Sequence, residues 1–470
     1  MKKTRWQYVD VYPKVVPAGK RQTITICPTI DPGLFAGGPL EAEVLPVQQR
    51  EYPLDDTPRG HVKYVVEAGA DGRLRFQHAF QGEQEHFIRV RRGEKTLCQV
   101  SVYSILEDLA GLIPLYGDQH VHTNHSDGRE GPGFVAAEFR ARGYDYIAIT
   151  DHHTMSGSLA AREAFWDAPT GFHIMTGEEV HLPDCPLHVV HIGGRWSVNC
   201  RTQDHMEMMD ERDPGLRARF PFAWERGEDS DFPGTMSVED FHKVVWDYAQ
   251  KLDPIPEGLP RFALAGFAWI CEEIRRAGGL PIFVHPYWID DLYHADERLT
   301  EYILTHGVAD AYEVLGGERY FEQNGFQAVQ YYELTARGHR IPIVGSSDSH
   351  RNYDNPLSQV ASTITFARAN RTAEILEAIR ACRTVAVDRV NPSDPRLVGD
   401  YRLVKYAQFL LANYFPLHES LCAEEGRAMK DYYSGDREEG ERMLRAADGR
   451  IERLWKKCFA FDVDEGREEY

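Results

Sequence analysis

The stretch 118–128 reads DQHVHTNHSDG and places two histidines, His120 and His122, two residues apart. The run before it, 112–117, is short and apolar, as expected of a buried strand. Side chains two residues apart on a strand point to the same face. The two imidazoles would therefore project together from a strand end, with the Asp127 carboxylate in the following loop. Such groups hold Zn²⁺, Mn²⁺ or Fe²⁺, although a plain surface pair is the other interpretation of this spacing.

The bulk composition is that of a globular protein with several domains. The chain has 470 residues, of which 42% are hydrophobic and 27% charged. It contains neither an apolar run of membrane-spanning length nor the apolar core of a signal peptide. Eight scattered cysteines without a Cys-x-x-Cys indicate a reducing compartment, so we expect a cytoplasmic protein. The net charge of −20 disfavours nucleic acid and membranes as partners, because both are anionic.

The period of the apolar residues divides the chain into three parts. Residues 1–110 show short strand patterns with turn signals between them, which predicts an all-β sandwich without chemistry of its own. Residues 111–395 alternate strands with helices, which predicts an α/β fold with a parallel sheet, open or closed as a barrel. A polar stretch at about 195–260 is predicted to be an inserted subdomain. Residues 396–470 are predicted to form a helical C-terminal extension.

The predicted strands of the α/β part share one property, which is a His or a carboxylate at or near the C-terminal end. In α/β folds, active sites form at that end of the sheet. The residues concerned are His120, His122, Asp127, Asp151, His152, Glu178, Glu179, His188, His191, His285, Glu313, Asp348 and His350. Singly each has a structural interpretation, such as Asp151 as a helix N-cap. Together they predict a metal centre, with more ligands than one ion needs.

Six motifs in this part resemble those of the PHP (polymerase and histidinol phosphatase) family. They are His120-Val-His122 with Ser126-Asp127-Gly128, Thr150-Asp151-His152, Gly177-Glu178-Glu179, His188-Val-Val-His191, Val284-His285-Pro286 and Asp348-Ser-His350. The resemblance covers about 112–390, apart from the insertion. It implies a distorted (β/α)7 TIM-like barrel with a metal cluster at the strand ends. It also implies a metal-dependent phosphoesterase.

The resemblance further implies how two or three divalent ions (Zn, Mn or Fe) would be held. The first ion would take His120, His122, Glu179 and Asp348; the second would share Glu179 and take His285 and His191, with His188 as the rival of His191; the third would take Asp127, His152 and His350. Asp151 is expected to act in catalysis by orienting His152 or its neighbours. His153 is expected to contact substrate or to support the ligands from outside.

The predicted reaction is hydrolysis of a small phosphomonoester or a short phosphodiester, because several ions sharing a carboxylate suit phosphate esters. Possible substrate contacts are His153, His188 and Arg195, together with Arg201, Arg217 and Arg219 in the insertion. Two other functions stay open. One is a nuclease for short oligonucleotides, and the other is a non-catalytic, metal-stabilised binding scaffold. The sequence does not predict the oligomeric state.

Overall fold

The computed structural model describes residues 8–48, 61–202, 232–252, 254–289, 291–317, 321–351, 361–389, 395–464 and 466. The chain divides into two compact units. Unit 1 consists of Met1–Ile113, Lys405–His418 and Gly449–Glu465, and unit 2 of Pro114–Val404, Glu419–Asp448 and Gly466–Tyr470. The metal-ligand candidates all belong to unit 2. The three predicted domain ranges stay predictions, and the predicted C-terminal extension contributes residues to both units.

Unit 1 contains two β-sheets. The three-stranded sheet has the order β1 (Val9–Tyr12), β3 (Arg21–Pro28) and β6 (Leu74–Ala79). The five-stranded sheet has the order β2 (Val15–Pro17), β8 (Lys95–Ile105), β7 (Gln84–Arg92), β4 (Leu40–Pro46) and β5 (Val62–Val66). Alternate residues on the strands are buried, and residues of both sheets, such as Ile24 and Ile88, belong to one hydrophobic cluster. The strand pattern in the sequence thus reflects one buried face on each sheet.

Unit 2 is built on two further sheets. The six-stranded sheet has the order β11 (His173–Met175), β10 (Tyr146–Ala148), β9 (Ile113–Asp118), β17 (Ala361–Ala367), β18 (Thr384–Asp388) and β19 (Arg396–Gly399). The five-stranded sheet has the order β12 (Gly177–Val180), β13 (Val189–Ile192), β14 (Leu280–Phe283), β15 (Ala311–Leu315) and β16 (Ile343–Gly345). All residues of β9 to β18 are buried, which explains their nearly continuous apolar character in the sequence.

The prediction of an all-parallel sheet is correct only for part of these strands. β9, β10 and β11 are parallel, as are β14, β15 and β16. β13, in contrast, is antiparallel to both β12 and β14, and β18 is antiparallel to β17 and β19. The connection from β12 to β13 is too short for a parallel crossover, which needs about a dozen residues or more. That length was the signal for a hairpin.

The sequence pattern predicts a single strand over His173–Val180, but this segment forms two strands, β11 and β12, in different sheets. Between β11 and β12, Thr176 turns its hydroxyl to the Gly194 carbonyl, 2.7 Å away. At Gly177 a Cβ would lie 2.6 Å from the Ile149 carbonyl oxygen. The chain therefore crosses from one sheet to the other at a point too tight for a side chain.

The described helices are α1 (Pro132–Ala141), α2 (Ser156–Ala164), α3 (Val238–Lys251), α4 (Arg261–Arg276), α5 (Glu297–Thr305), α6 (Phe321–Ala336), α7 (Thr372–Arg380), α8 (Tyr401–Asn413), α9 (Phe415–Ser434), α10 (Arg437–Ala447) and α11 (Arg450–Cys458). The spacing of apolar residues predicts helices at 132–142, 262–277, 319–337 and 372–381, and these correspond to α1, α4, α6 and α7. α2, α3 and α5 were not among the predicted helices.

The mixed α/β class is confirmed, whereas barrel closure and the N-terminal sandwich stay predictions. Of the predicted insertion, residues 203–231 lie outside the described residues. Among the helices that the structure describes, each is too short or too polar to traverse a bilayer.

Candidate metal centre

Backbone pairing beyond the strand ends brings the motif loops of unit 2 together. Val121 pairs in parallel with Ser349, and the His122 amide donates to the Ser349 carbonyl at 2.9 Å. His152 pairs in the same way with Glu179. These two bridges fix the backbone at His152 and Glu179 and beside the ligand candidates that flank Val121 and Ser349.

The buried part of the centre consists of two histidines and two carboxylates. His120 Nε2 lies 3.2 Å from Asp348 Oδ1 and 3.4 Å from Glu179 Oε2. His122 Nε2 lies 2.9 Å from the same Asp348 oxygen and 3.5 Å from the same Glu179 oxygen. Ligand atoms around one ion with bonds of about 2.1 Å are about 3–3.5 Å apart. These four side chains therefore fit one ion.

A second group faces outward. His152 Nε2 and His350 Nε2 lie 3.5 and 3.4 Å from Asp127 Oδ1. His122 Nδ1 lies 3.8 Å from the same oxygen, so His122 stands between the two groups. The side chains of Asp127 and His350 are 40% and 36% exposed, whereas that of His122 is fully buried. This group is the accessible end of the centre.

The other oxygen of Glu179 faces a third group of histidines. Glu179 Oε1 lies 2.8 Å from His188 Nδ1 and 3.4 Å from His285 Nε2. His181 Nε2 is 3.7 Å from the same oxygen. Glu179 is itself fully buried. One carboxylate thus lies between all the histidine groups, as a bridging ligand would.

The structure does not bring His191 into this cluster. Its Nδ1 lies 2.8 Å from Glu178 Oε1, on the other face of the hairpin. Glu178 also accepts from the Val198 amide at 2.6 Å and from Asn199 Nδ2 at 2.9 Å. The correction follows from strand geometry, since residues three apart on a strand face opposite sides. His188, the rival of His191 in the sequence, is the one that reaches Glu179.

Several ligand atoms in the centre are buried and lack a hydrogen-bond partner. These atoms are Nδ1 and Nε2 of His122, Oε1 of Glu179, Nδ1 of His188, Nδ1 of His285 and Oδ1 of Asp348. Buried polar groups are nearly always satisfied, and leaving one unsatisfied costs about 1–3 kcal/mol. Convergence of so many such atoms on shared points is what divalent cations would resolve, so the residues fit the metal ions that the motifs imply.

Outer partners orient the ligands. His120 Nδ1 lies 3.0 Å from Glu313 Oε2, which leaves Nε2 facing the buried group. His350 Nδ1 lies 2.9 Å from the Asp348 carbonyl oxygen and must donate to it, so Nε2 is the ring nitrogen that faces Asp127 and is available to a metal ion. A histidine that donates its other N–H in this way is typical of metal sites.

Asp151 supports the loop and not the ring of His152. Its carboxylate accepts from the Thr123 amide and hydroxyl, both at 2.7 Å, and from the Ser126 hydroxyl at 2.7 Å. Burial raises its pKa. Because Asp127 follows Ser126 directly, Asp151 positions the outer group through the backbone. The expected orientation of His152 itself by Asp151 is not seen.

Burial and opposite charges shift the ionisation of the centre strongly. Burial lowers the pKa of His122 to about 3, so this ring is neutral at pH 7. Burial acts in the same direction on His152 and His350, but the Glu179 and Asp127 carboxylates raise the pKa of His152 to about 10, and Asp127 raises that of His350 to about 9. Without metal, protons on these two rings balance the carboxylates.

The two buried carboxylates of the inner group are ionised. Burial alone would raise the pKa of Glu179 and of Asp348, but the surrounding histidines hold both well below the usual range. The centre therefore presents two negative charges in a water-poor place, which favours cation binding.

Three residues of the centre adopt left-handed backbone conformations. His153, His285 and Asp348 have φ angles of 63°, 28° and 46°. Such conformations are uncommon for residues other than glycine and occur preferentially at functional sites. At His285 and Asp348 the strain sits directly on ligand candidates, so the surrounding structure holds these side chains in place.

Comparisons with known proteins were made at the level of sequence and of structure. Neither a protein-family model nor a curated protein matches the sequence. Solved structures do match. Two of the solved structures that this chain resembles are described as containing, or as being, a metal-dependent phosphoesterase.

The first of these structures is a two-domain protein from Bacteroides vulgatus, whose description names a predicted PHP-like metal-dependent phosphoesterase. It is 18% identical with a TM-score of 0.36, and the match covers 59% of this chain and 65% of that chain, just under two thirds. A second, from Bifidobacterium adolescentis, is described as a candidate metal-dependent phosphoesterase; it is 19% identical with a TM-score of 0.31, covering 50% of this chain and 87% of that chain.

An amidohydrolase from Chromobacterium violaceum, whose structure holds sulfate and no metal, is 15% identical with a TM-score of 0.31, covering 59% of this chain and 99% of that chain. Because the identities and TM-scores of these matches are low, the function of this chain is inferred from the side chains of the centre.

The predicted substrate contacts separate into near and distant residues. His153 lies beside the candidate metal centre, with its ring centroid 4.6 Å from that of His181. Arg195 lies elsewhere, because its amide donates to the Ala277 carbonyl, before β14, whereas His285 follows β14. Arg201 is buried against Glu273, its Nε 2.7 Å from Oε2. Arg217 and Arg219 lie outside the described residues.

Two histidines at the centre were not among the predicted site residues. His181 Nε2 lies 2.9 Å from His152 Nδ1, and its spacing of two from Glu179, directly after the end of β12, was an available signal. His294 packs against His188 with ring centroids 4.1 Å apart. His294 comes from a loop without apolar periodicity, so the sequence offered no signal for it.

Proposed function

We propose that this chain is a metal-dependent hydrolase that cleaves the phosphoric ester bond of a small phosphorylated substrate, using two or three divalent ions. The observation that supports it best is the set of buried, unpartnered nitrogen and oxygen atoms that converge around Glu179 and Asp348. His122 Nε2 lies 2.9 Å from Asp348 Oδ1, and His188 Nδ1 lies 2.8 Å from Glu179 Oε1, yet none of these four atoms makes a hydrogen bond. Ligand atoms that surround a metal ion lie close together in this way, since each directs its lone pair at the ion and not at its neighbour.

The ligands divide among three ions according to the distances between them. The first ion would take His120, His122, Glu179 and Asp348; the second would take Glu179, His188 and His285; the third would take Asp127, His152 and His350. In the second set His188 stands in for His191. When bound, such ions supply Lewis acidity toward a phosphoryl oxygen and acidify a water that attacks phosphorus.

The residues of the chain have separate tasks around these ions. Asp127 and His350 form the exposed end, where substrate would enter. Glu313 fixes the ring of His120, and Asp151 fixes the loop that carries Asp127. His153 lies next to His152 and outside the ligand set, and we assign it the role of proton donor to the leaving oxygen.

The net charge of −20 restricts the substrate. A long nucleic acid needs a basic surface, because its phosphates dominate binding. A small phosphomonoester or a short phosphodiester would need only the local positive charge of the ions bound at the centre. We therefore propose a small phosphorylated substrate, with short oligonucleotides as the polymeric exception.

The test is the release of phosphate or p-nitrophenol from a panel of mono- and diesters with Mn²⁺, Zn²⁺ or Fe²⁺ supplied. We expect hydrolysis that requires metal and is lost in Asp348→Asn, which removes the charge shared by His120 and His122. Asp247→Asn, an exposed aspartate on α3, is the matched control and should retain full activity. Full activity in Asp348→Asn would contradict the proposal.

Two other results would point elsewhere. Cleavage of short single-stranded DNA with a steep salt dependence would identify a nuclease. Stoichiometric metal binding without hydrolysis of any ester in the panel would indicate a metal-stabilised binding scaffold.

A further inference from the structure

The loop between β14 and α5 turns back onto the metal centre. The Trp288 amide donates to the His285 carbonyl at 3.0 Å, the His294 amide to the Trp288 carbonyl at 2.9 Å, and the Ala295 amide to the Pro286 carbonyl at 2.8 Å. These bonds tie the end of the loop to its beginning. They return His294 to the side of His285, nine positions after it in the chain.

The ring of His294 is held in one tautomer. Its Nε2 contacts the carbonyl oxygen of Pro186. Since a carbonyl oxygen only accepts, Nε2 carries the hydrogen and Nδ1 keeps its lone pair. That Nδ1 is buried and has no hydrogen-bond partner. A neutral imidazole whose other nitrogen donates to a carbonyl is prepared to bind a metal ion.

Two further histidines face this ring. One ring nitrogen each of His188, His285 and His294 lie within 4.8 Å of one another. The His285 and His294 ring centroids are 5.5 Å apart, and those of His188 and His285 are 5.2 Å apart. His285 is 6% exposed, and its Nδ1 also lacks a partner. Three imidazoles thus converge, and each of them has a buried ring nitrogen without a hydrogen-bond partner.

We propose that His294 is a metal ligand and that, with His188 and His285, it forms a three-nitrogen site selective for a borderline transition metal such as Zn²⁺. The inference rests on the proposed function, because His188 and His285 are residues assigned there to the second ion. Imidazole ligands suit Zn²⁺, Fe²⁺ and Ni²⁺, whereas Mn²⁺ and Mg²⁺ favour oxygen ligands. One site of the centre therefore differs in metal preference from the carboxylate-rich sites.

The experiment measures metal content and affinity. The native chain, His294→Ala and His306→Ala are dialysed against equal concentrations of Zn²⁺ and Mn²⁺, and bound metal is counted by mass spectrometry. His306 is an exposed histidine at the end of α5 and serves as the matched control. We expect the native chain and His306→Ala to hold the same ions. We expect His294→Ala to lose zinc affinity by about tenfold or more at one site and to keep the other ions.

A folding measurement and a second variant distinguish loss of the metal site from loss of the folded structure. Circular dichroism and thermal unfolding show whether His294→Ala is folded, and His294→Cys, which keeps a zinc-binding side chain, should restore the zinc. Unchanged metal content and affinity in His294→Ala, or loss of the same zinc in His306→Ala, would overturn the assignment. Zinc loss in His294→Ala together with no ester hydrolysis by the native chain would refute the proposed activity and leave this site standing.

Discussion

At the scale of single residues, the hairpin of β12 and β13 separates two histidines that the motif alone could not tell apart. His188 faces Glu179 on the metal side, and His191 faces Glu178 in the core. From the sequence motifs alone, either histidine could face either of the adjacent carboxylates, Glu178 and Glu179. Only the register of the hairpin decides which carboxylate each one meets, and the register depends on pairing across the sheet.

This separation predicts opposite effects of two alanine variants. His188→Ala should remove one ion and leave the free energy of unfolding of the metal-free chain almost unchanged. His191→Ala should keep all ions but lower that free energy by about 3 kcal/mol or more, because it strips a partner from the buried Glu178 carboxylate. Urea unfolding in the presence of a chelator, together with metal counting, distinguishes the two. Loss of metal in both variants with equal stability would show the assignment to be wrong.

At the scale of elements, helix α2 approaches the centre through a glycine. A Cβ at Gly157 would lie 1.8 Å from Asp151 Oδ2, the carboxylate that holds the loop of Thr123 and Ser126. Such an atom cannot be accommodated without moving either the helix or the carboxylate. The helix start and the metal loop are therefore coupled through one close contact.

We expect Gly157→Ala to lower the free energy of unfolding by about 1–3 kcal/mol and to weaken metal binding at the outer group. Gly325→Ala is the matched control, since Gly325 lies within α6 and a Cβ there meets nothing within 4 Å. That control should stabilise the chain by about 0.5–1 kcal/mol, because alanine favours a helix interior. Thermal unfolding and metal titration of both variants provide the check, and a neutral Gly157→Ala would refute the coupling.

The elements also show how far the sequence could predict the fold. The ends of β9, β14 and β16 were recognisable because an apolar run stops and polar ligands follow. The break at Thr176 was not, because nothing in a continuous strand-like run marks a change of sheet. The return of the chain after His285, which brings His294 to the centre, rests on backbone hydrogen bonds and on the contact of His294 with Pro186, and neither leaves a pattern of residue types in the sequence.

At the scale of the whole molecule, metal and protons compete for the same charged cluster. In the metal-free chain, the pKa values of His152 and His350, about 10 and about 9, exceed the unfolded value of about 6.5. Their contribution to stability is therefore fully present below about pH 6.5 and is lost as the pH rises through 9 and 10. The metal-free chain should lose stability over this range.

The stabilisation that metal gives to the chain should increase as the pH rises, over the same range in which the metal-free chain loses stability. Ions must displace the protons on His152 and His350, so metal affinity rises with pH up to about 10. The difference in Tm between chain with Mn²⁺ or Zn²⁺ and chain with a chelator should therefore grow from pH 6.5 to pH 9. A free metal concentration of 100 times the Kd of a site adds about 2.7 kcal/mol to the free energy of unfolding. A difference in Tm that shrinks with rising pH would contradict the assignment of these histidines as ligands.

The difference in side-chain exposure within the centre affects how fast the ions exchange with solvent, and not how tightly they bind. His120 and His122 are fully buried, whereas Asp127 and His350 are 40% and 36% exposed. An ion at the outer end can exchange with solvent through the open face, but an ion on the inner side leaves only when the surrounding loops open. The outer ion would then be replaced during a single purification. The inner ion would remain the one that was bound when the chain was synthesised.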